Sequence, residues 1–138
     1  MAAAAACFAR ARAGGARTVF LALDGGAGRL YALALAAAAR ALGLRLRLHH
    51  HSYAYIDRPD LLMRGVLAAA GPRAVQIFLS EGMRARFEAA YGRRGPAAVL
   101  SNALFVEAAA AARVRPAAGP LVVGLLANLT AAKGLHEM

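Results

Sequence analysis

At 138 residues the chain has room for one ordinary domain, and its apolar runs, such as Tyr31 to Ala39, stop well short of the roughly 20 residues a membrane-spanning helix needs. Hydrophobic residues make up 60% of it, but much of that share is alanine, which contributes little area per side chain, so the core is leaner than the figure suggests. The net charge of +10 comes from 16 arginines and a single lysine, scattered and not gathered on one face as in nucleic-acid binders; no nucleic-acid partner is expected, and the charge suits a sugar nucleotide or an acidic membrane surface.

Met1 to Ala9 lacks a charged leader, so no signal peptide is expected, and Cys7, the one cysteine, fits a reducing, cytoplasmic setting without disulfides. Residues 1–16 form a low-complexity, alanine-rich stretch without a readable period, expected to be an irregular lead-in. Thr18 to Leu23 is a short apolar run closed by Asp24-Gly25-Gly26, which reads as a buried strand and a turn. Leu30 to Leu42 is built of strong helix formers and is closed by Gly43. Leu44 to Leu48 alternates leucine with arginine and runs into three histidines, which predicts a second strand.

The alternation repeats. Pro59 to Ala70 suits a helix with Asp57 available as its cap and Gly71-Pro72 as its end. Ala74 to Leu79 reads as a third strand, Ser80 as the cap of a helix from Glu81 to about Tyr91, and Ala97 to Leu100 as a short fourth strand. Strands alternating with helices at this spacing imply right-handed crossovers, so the expected class is α/β: a Rossmann-like, mainly parallel sheet with flanking helices over residues 17–112. Residues 113–120 carry the prolines and glycine of a linker. Leu121 to Ala127 then opens a new strand-loop-helix unit, so residues 121–138 read as the beginning of a second domain.

Four places could carry chemistry. His49-His50-His51 stands where a strand ends, and ligands of open parallel sheets bind outside those ends. Along a strand, His49 and His51 face one side and His50 the other; either one imidazole faces the crevice, or the three satisfy loop hydrogen bonds. Neither a cysteine pair nor an HExxH spacing accompanies them, so no metal is expected. Ser80-Glu81 is foremost a helix cap followed by a first-turn acid, and Ser101-Asn102 a turn at a strand end. Val122-Val123-Gly124 through Lys133-Gly134 is a strand, loop and helix start, where free backbone N–H groups and a lysine suit a diphosphate; a solvated lysine at a helix start is the alternative. Asp24 to Gly28 lacks the GxGxxG spacing and is expected to be a tight turn.

Taken in order, Leu48-His49-His50-His51-Ser52, Phe78-Leu79-Ser80-Glu81-Gly82-Met83, Val99-Leu100-Ser101-Asn102-Ala103, and Val122-Val123-Gly124 with Lys133-Gly134-Leu135 resemble the family 4 glycosyltransferases of the GT-B fold. That family has, in the same order, a histidine after a strand, a Ser-Glu helix start, a strand ending in Pro-Asn-Gly, a linker and a Gly-Arg-Leu…Lys-Gly segment. The resemblance spans about Thr18 to Met138. It implies a retaining transfer from a nucleotide-diphosphate sugar, bound between two Rossmann-like domains, to a sugar or lipid-linked acceptor, without a cofactor, at the cytoplasmic face of a membrane or free of it. By similarity, His51 or His50 is the crevice histidine, and Lys133, near Asn128 and Gly124, contacts the donor diphosphate. Ser80, Glu81 and Asn102 line the crevice.

The chain departs from the family pattern at several points. Asn128 stands where the family has a phosphate-binding arginine, Ser101 replaces its proline and Ala103 its glycine. The family's opening strand and glycine-rich loop have no counterpart in the alanine-rich lead-in, and its acidic donor-binding pair would fall beyond Met138. The chain is therefore expected not to complete the transfer alone. A small, non-catalytic Rossmann-like module that binds a nucleotide or phosphate is the second expectation.

Overall fold

The computed structural model of the chain describes residues 2–102. The linker at 113–120 and the strand-loop-helix unit expected from 121 onward lie outside the described residues.

The first element corrects the sequence reading. Ala2–Ala13 forms a helix, α1, and not an irregular lead-in. Alanine is the strongest helix former, so a segment without an amphipathic period still has every local reason to coil. Its Phe8 packs against the core.

Strand β1 (Thr18–Leu23) leads through a turn into helix α2 (Gly28–Ala41). The buried positions Ala32, Ala36 and Ala39 put small side chains on one helical face, which lets α2 lie close to the sheet. Its end is a Schellman motif, in which Leu44 N–H bonds Ala39 O at 2.9 Å and Gly43 N–H bonds Arg40 O at 2.9 Å. Strand β2 (Arg45–His50) runs further than the alternation of leucine and arginine suggested. Its ladder to β1 continues through Ala22–His49 and Leu23–His50, so two of the three histidines belong to the sheet.

Between β2 and the third strand lie a single turn, α3 (Ala54–Asp57), and helix α4 (Leu61–Ala70). The cap of α4 is Asp60, whose Oδ1 accepts from Met63 N–H at 2.9 Å, and not Asp57. Asp57 sits in α3 instead and pairs with Arg86 at 2.6 Å. A cap must stand in extended backbone two to three residues before the amide it accepts from, and Asp60 does so. Strand β3 (Val75–Phe78), helix α5 (Glu81–Tyr91) and strand β4 (Ala97–Val99) complete the described fold. Ser80 caps α5 as expected, accepting from Met83 N–H at 3.1 Å, an interaction that stabilises by about 1 kcal/mol.

The four strands lie in chain order, β1-β2-β3-β4, all parallel, in an α/β fold consistent with a Rossmann-like arrangement. Right-handed crossovers that all step in one direction place the intervening helices on one face of the sheet. Burial follows that rule. Leu21, Leu23, Leu46, Leu48 and Phe78 face the helices and join Ala36, Met63, Val66 and Phe87 in the core. The alternate residues point to the other face, where His49 and Ile77 are buried but Phe20 is 53% exposed, which corrects the reading of Thr18 to Leu23 as a buried strand; among the described strands β1 stands at the edge.

Gly95 leads into β4 with φ +86°, and a Cβ there would stand 2.5 Å from Pro72 O and 2.9 Å from Ala74 O. Gly43 shares the positive φ, at +69°, but a Cβ there meets nothing. Gly43→Ala is therefore expected to cost about 1 kcal/mol from backbone strain alone, and Gly95→Ala clearly more, about 2–4 kcal/mol, because backbone must move. Urea unfolding of the two variants checks the difference.

Candidate functional site

Because the strands are parallel, the turns after β1, β2, β3 and β4 all emerge at the same edge of the sheet, where ligands of such sheets bind. They are Asp24-Gly25-Gly26-Ala27, His51-Ser52-Tyr53, Ser80-Glu81-Gly82 and Ser101-Asn102. Helix α5 begins at this edge, with its cap already supplied by Ser80. The first two turns touch: a Cβ on Gly25 would meet Ser52 Oγ at 3.0 Å and Ala54 Cβ at 3.4 Å, so glycine allows this close approach. Ser52 Oγ in turn accepts from Ala54 N–H at 3.2 Å.

The three histidines divide as the pleat requires. His51 is exposed just beyond β2, with its N–H bonded to Leu23 O at 3.3 Å. Its ring lies 3.9 Å, centroid to centroid, from that of His49 on the same face. His49 is buried against Phe20 in a T-shaped contact, and its imidazole is held below the ordinary range by that burial and by the neighbouring His51. His50 points into the helical layer and is fully buried, stacked on Phe78 at 4.7 Å. It therefore has no surface to offer a substrate, and of the two candidate crevice histidines only His51 reaches the edge.

His50 instead holds the edge together from below. Gln76 Nε2 donates to Ala74 O at 3.4 Å, which orients the amide so that Gln76 Oε1 accepts from His50 Nε2 at 2.9 Å. The ring's Nδ1 is then the acceptor, receiving a hydrogen bond from the Tyr55 hydroxyl at 3.1 Å. A neutral imidazole satisfies both partners. Burial, foremost, pushes the His50 pKa down to about 4 against the partial lift from Gln76, and burial likewise raises Tyr55.

The network continues outward through Tyr91, whose hydroxyl donates to Tyr55 O at 2.5 Å and accepts from Asp60 N–H at 3.2 Å. Asp60 pairs with the buried Arg29 at 2.5 Å, and Arg29 Nε donates to Gly26 O at 3.1 Å, tying the β1 turn to the start of α4. The Met63 N–H first, and Arg29 beside it, hold the Asp60 carboxyl below the usual carboxylate range.

Ser80 and Glu81 stand exposed at the edge, the serine engaged as a cap and the carboxylate 3.6 Å from Arg84. Asn102 is exposed after β4. Lys133, Asn128 and Gly124 lie outside the described residues, as does Ala103. The four turns carry hydroxyl, amide, carboxylate and imidazole groups but no arginine or lysine.

Sequence reasoning missed the anchoring set. Asp60 was findable as a polar residue directly before an apolar helical run, whereas Tyr55 and Tyr91 are joined only by tertiary contact and leave no local signal. A cleft of about 240 Å³ lies at the opposite edge, lined by Arg40, Arg94 and Gly95 among others. There Arg40 donates to Ala68 O and Arg94 to Tyr91 O, so these cations cap helix C-termini. Among the described residues no group of three or more metal-binding side chains occurs, and no helix is long and apolar enough to cross a membrane.

His50 binds a proton in the unfolded chain near pH 6.5 but in the folded one only near pH 4. The unfolded state thus holds more protons between those values, so folding stability is full above about pH 6.5 and falls by roughly 3 kcal/mol as the pH drops to 4. Chemical denaturation at pH 7, 5.5 and 4 checks this. A His50→Leu variant is less stable at pH 7, because Gln76 and Tyr55 lose a partner, but its stability changes less over the same interval.

Compared with protein-family models, curated proteins and solved structures, the chain gives no significant match.

Proposed function

We propose that this chain is the acceptor-side part of a nucleotide-sugar glycosyltransferase, with the His51 edge facing the sugars. The observation that carries the reading is the convergence of the motif-bearing turns at one parallel-sheet edge, with His51 exposed among them. The motif order read from the sequence supplies the reaction class. In this reading the imidazole of His51 and the amide of Asn102 hydrogen-bond sugar hydroxyls, and His51 stands nearest the transferred sugar. Lys133 neutralises the donor diphosphate as it leaves with the glycosidic electrons. The part played by Glu81 is to favour the α5 N-terminus and pair with Arg84, which leaves Ser80 and Glu81 as framing groups.

The second reading, a module that simply binds a nucleotide or phosphate, fits the described edge less well. A phosphate site draws on arginine, lysine or uncapped helix N-termini; the four turns lack both basic residue types, and the start of α2 after Ala27 is an uncapped N-terminus at this edge. A polyhydroxylated ligand needs only neutral donors and acceptors, which these turns supply.

The expected outcome is binding without turnover. Titrating the isotopically labelled chain with simple saccharides and with UDP-, GDP- and ADP-sugars should shift the amides of His51, Ser52 and Asn102, with no donor consumed. Loss of one hydrogen bond in His51→Ala should weaken that binding by about fivefold. Free nucleoside diphosphates that shift the same amides as strongly as their sugars do would favour the binding module. No shift at this edge with any of these ligands would overturn both readings.

A further inference from the structure

The edge where the strands begin carries a different chemistry from the edge where they end. Two loops meet there, because Gly95 lies so close to Pro72 O and Ala74 O that a Cβ would clash with both. They bring Gly92-Arg93-Arg94-Gly95 up against Gly71-Pro72, and with the end of α2 they enclose the cleft of about 240 Å³. Arg40, Arg93 and Arg94 line it. None of the three pairs with a carboxylate among the described residues: Asp57, Asp60, Glu81 and Glu88 pair with Arg86, Arg29 and Arg84, and Asp24 follows β1 at the far edge.

Two of the guanidinium groups are already held in place. Arg40 donates through Nη1 to Ala68 O at 2.9 Å and lies over Gly71, where a Cβ would come within 3.0 Å of that nitrogen. Arg94 donates through Nε to Tyr91 O at 2.8 Å, which leaves both its Nη groups free to donate. Arg93 is exposed and makes no hydrogen bond or ion pair with a described residue. The helix ends do not account for so much positive charge. Helices α2, α4 and α5 each end at this edge, and a helix C-terminus carries about half a negative charge. The three guanidinium groups exceed those half-charges by about 1.5 units, and a phosphomonoester carries about −1.5 to −2 at pH 7.

We infer that this cleft binds a phosphomonoester group, carried by a small soluble molecule or by a lipid headgroup. Arginine meets phosphate oxygens in pairs through its fork of N–H groups, and forks pinned before the ligand arrives lose little entropy on binding it. The cleft is smaller than the roughly 300 Å³ at which sites for drug-sized ligands begin, so it suits a phosphate and a few atoms beyond it, and not a whole nucleotide. No aromatic ring lines it, which sets it apart from the stacking platforms of single-stranded nucleic-acid binders. The site is independent of the sugar edge, which lies at the other end of the strands.

The test is a titration of the isotopically labelled 138-residue chain with glycerol phosphate and with its methyl diester at one ionic strength, beside co-sedimentation with phosphatidylcholine vesicles with and without phosphatidic acid. Glycerol phosphate is expected to shift the amides of Gly71, Arg93, Arg94 and Gly95, and to bind more tightly at pH 7 than at pH 5. The monoester gains its second charge near about pH 6, whereas the arginines keep theirs and no other titrating side chain lines the cleft. The diester, limited to one charge, should bind several-fold more weakly. Arg93→Gln should weaken the monoester about tenfold without moving the unfolding midpoint, since Arg93 holds no other described residue. Binding of the free monoester with no gain on vesicles points to a soluble ligand. Co-sedimentation that requires phosphatidic acid and is lost in the same variant points to a headgroup, and both support the inference. No binding in either assay, shifts that chloride reproduces at equal ionic strength, or full affinity in Arg93→Gln would overturn it. So would an oligonucleotide without a terminal phosphate that binds the cleft more tightly than the monoester.

Discussion

Four parallel strands taken in chain order, with right-handed crossovers that never reverse, constrain almost everything else in this fold. The constraint stacks α2, α4 and α5 on one face and sends every strand-to-helix turn to one edge. It also means that alternate residues of each strand meet different worlds. Leu46, Leu48 and His50 enter the core, while Arg45 and Arg47 reach solvent from the same strand.

Within that frame a single neutral imidazole organises the edge. His50 spends both ring nitrogens on Gln76 and Tyr55, and its ring on Phe78 and Phe87, so the strand end is fixed one residue before His51 leaves the sheet. From Tyr55 the bonding passes by way of Tyr91 to Asp60, then to Arg29 and the carbonyl of Gly26, which links the first two turns to the starts of two helices. Buried polar chains of this kind rigidify a site because every member is satisfied only in one arrangement. The residue that presents itself to a ligand is thus held by neighbours that never touch it.

Much of this fold could be read from the sequence, because its signals are local. Gly43 closing a run of helix formers, Ser80 before Glu81, and the apolar strand runs each depend on neighbours a few residues away, and each is where it was expected. What escaped depends on distance in the chain. Asp57 and Asp60 both precede the α4 run, and the choice falls on Asp60 because it stands in extended backbone directly before the helix, whereas Asp57 is taken into α3. The alanine-rich start carries propensity without period, and period is what a sequence reader weighs first. Of the site, the histidine alternation was legible from the pleat alone, but that His50 anchors and His51 presents depends on Gln76 and Tyr55. The direction of each crossover, and with it the side of the sheet that the helices cover, has no sequence signature in any single strand.

The claim on which the account rests is that alternate residues of β1 enter the helical layer and leave it, so that Leu21 and Leu23 are buried while Phe20 meets solvent. Hydroxyl-radical footprinting of the native chain, read by mass spectrometry at its phenylalanines, tests this most directly. This arrangement predicts fast oxidation of Phe20, 53% exposed, and strong protection of Phe78 and Phe87, each 1% exposed. Protection of Phe20 equal to that of Phe78 would contradict the account.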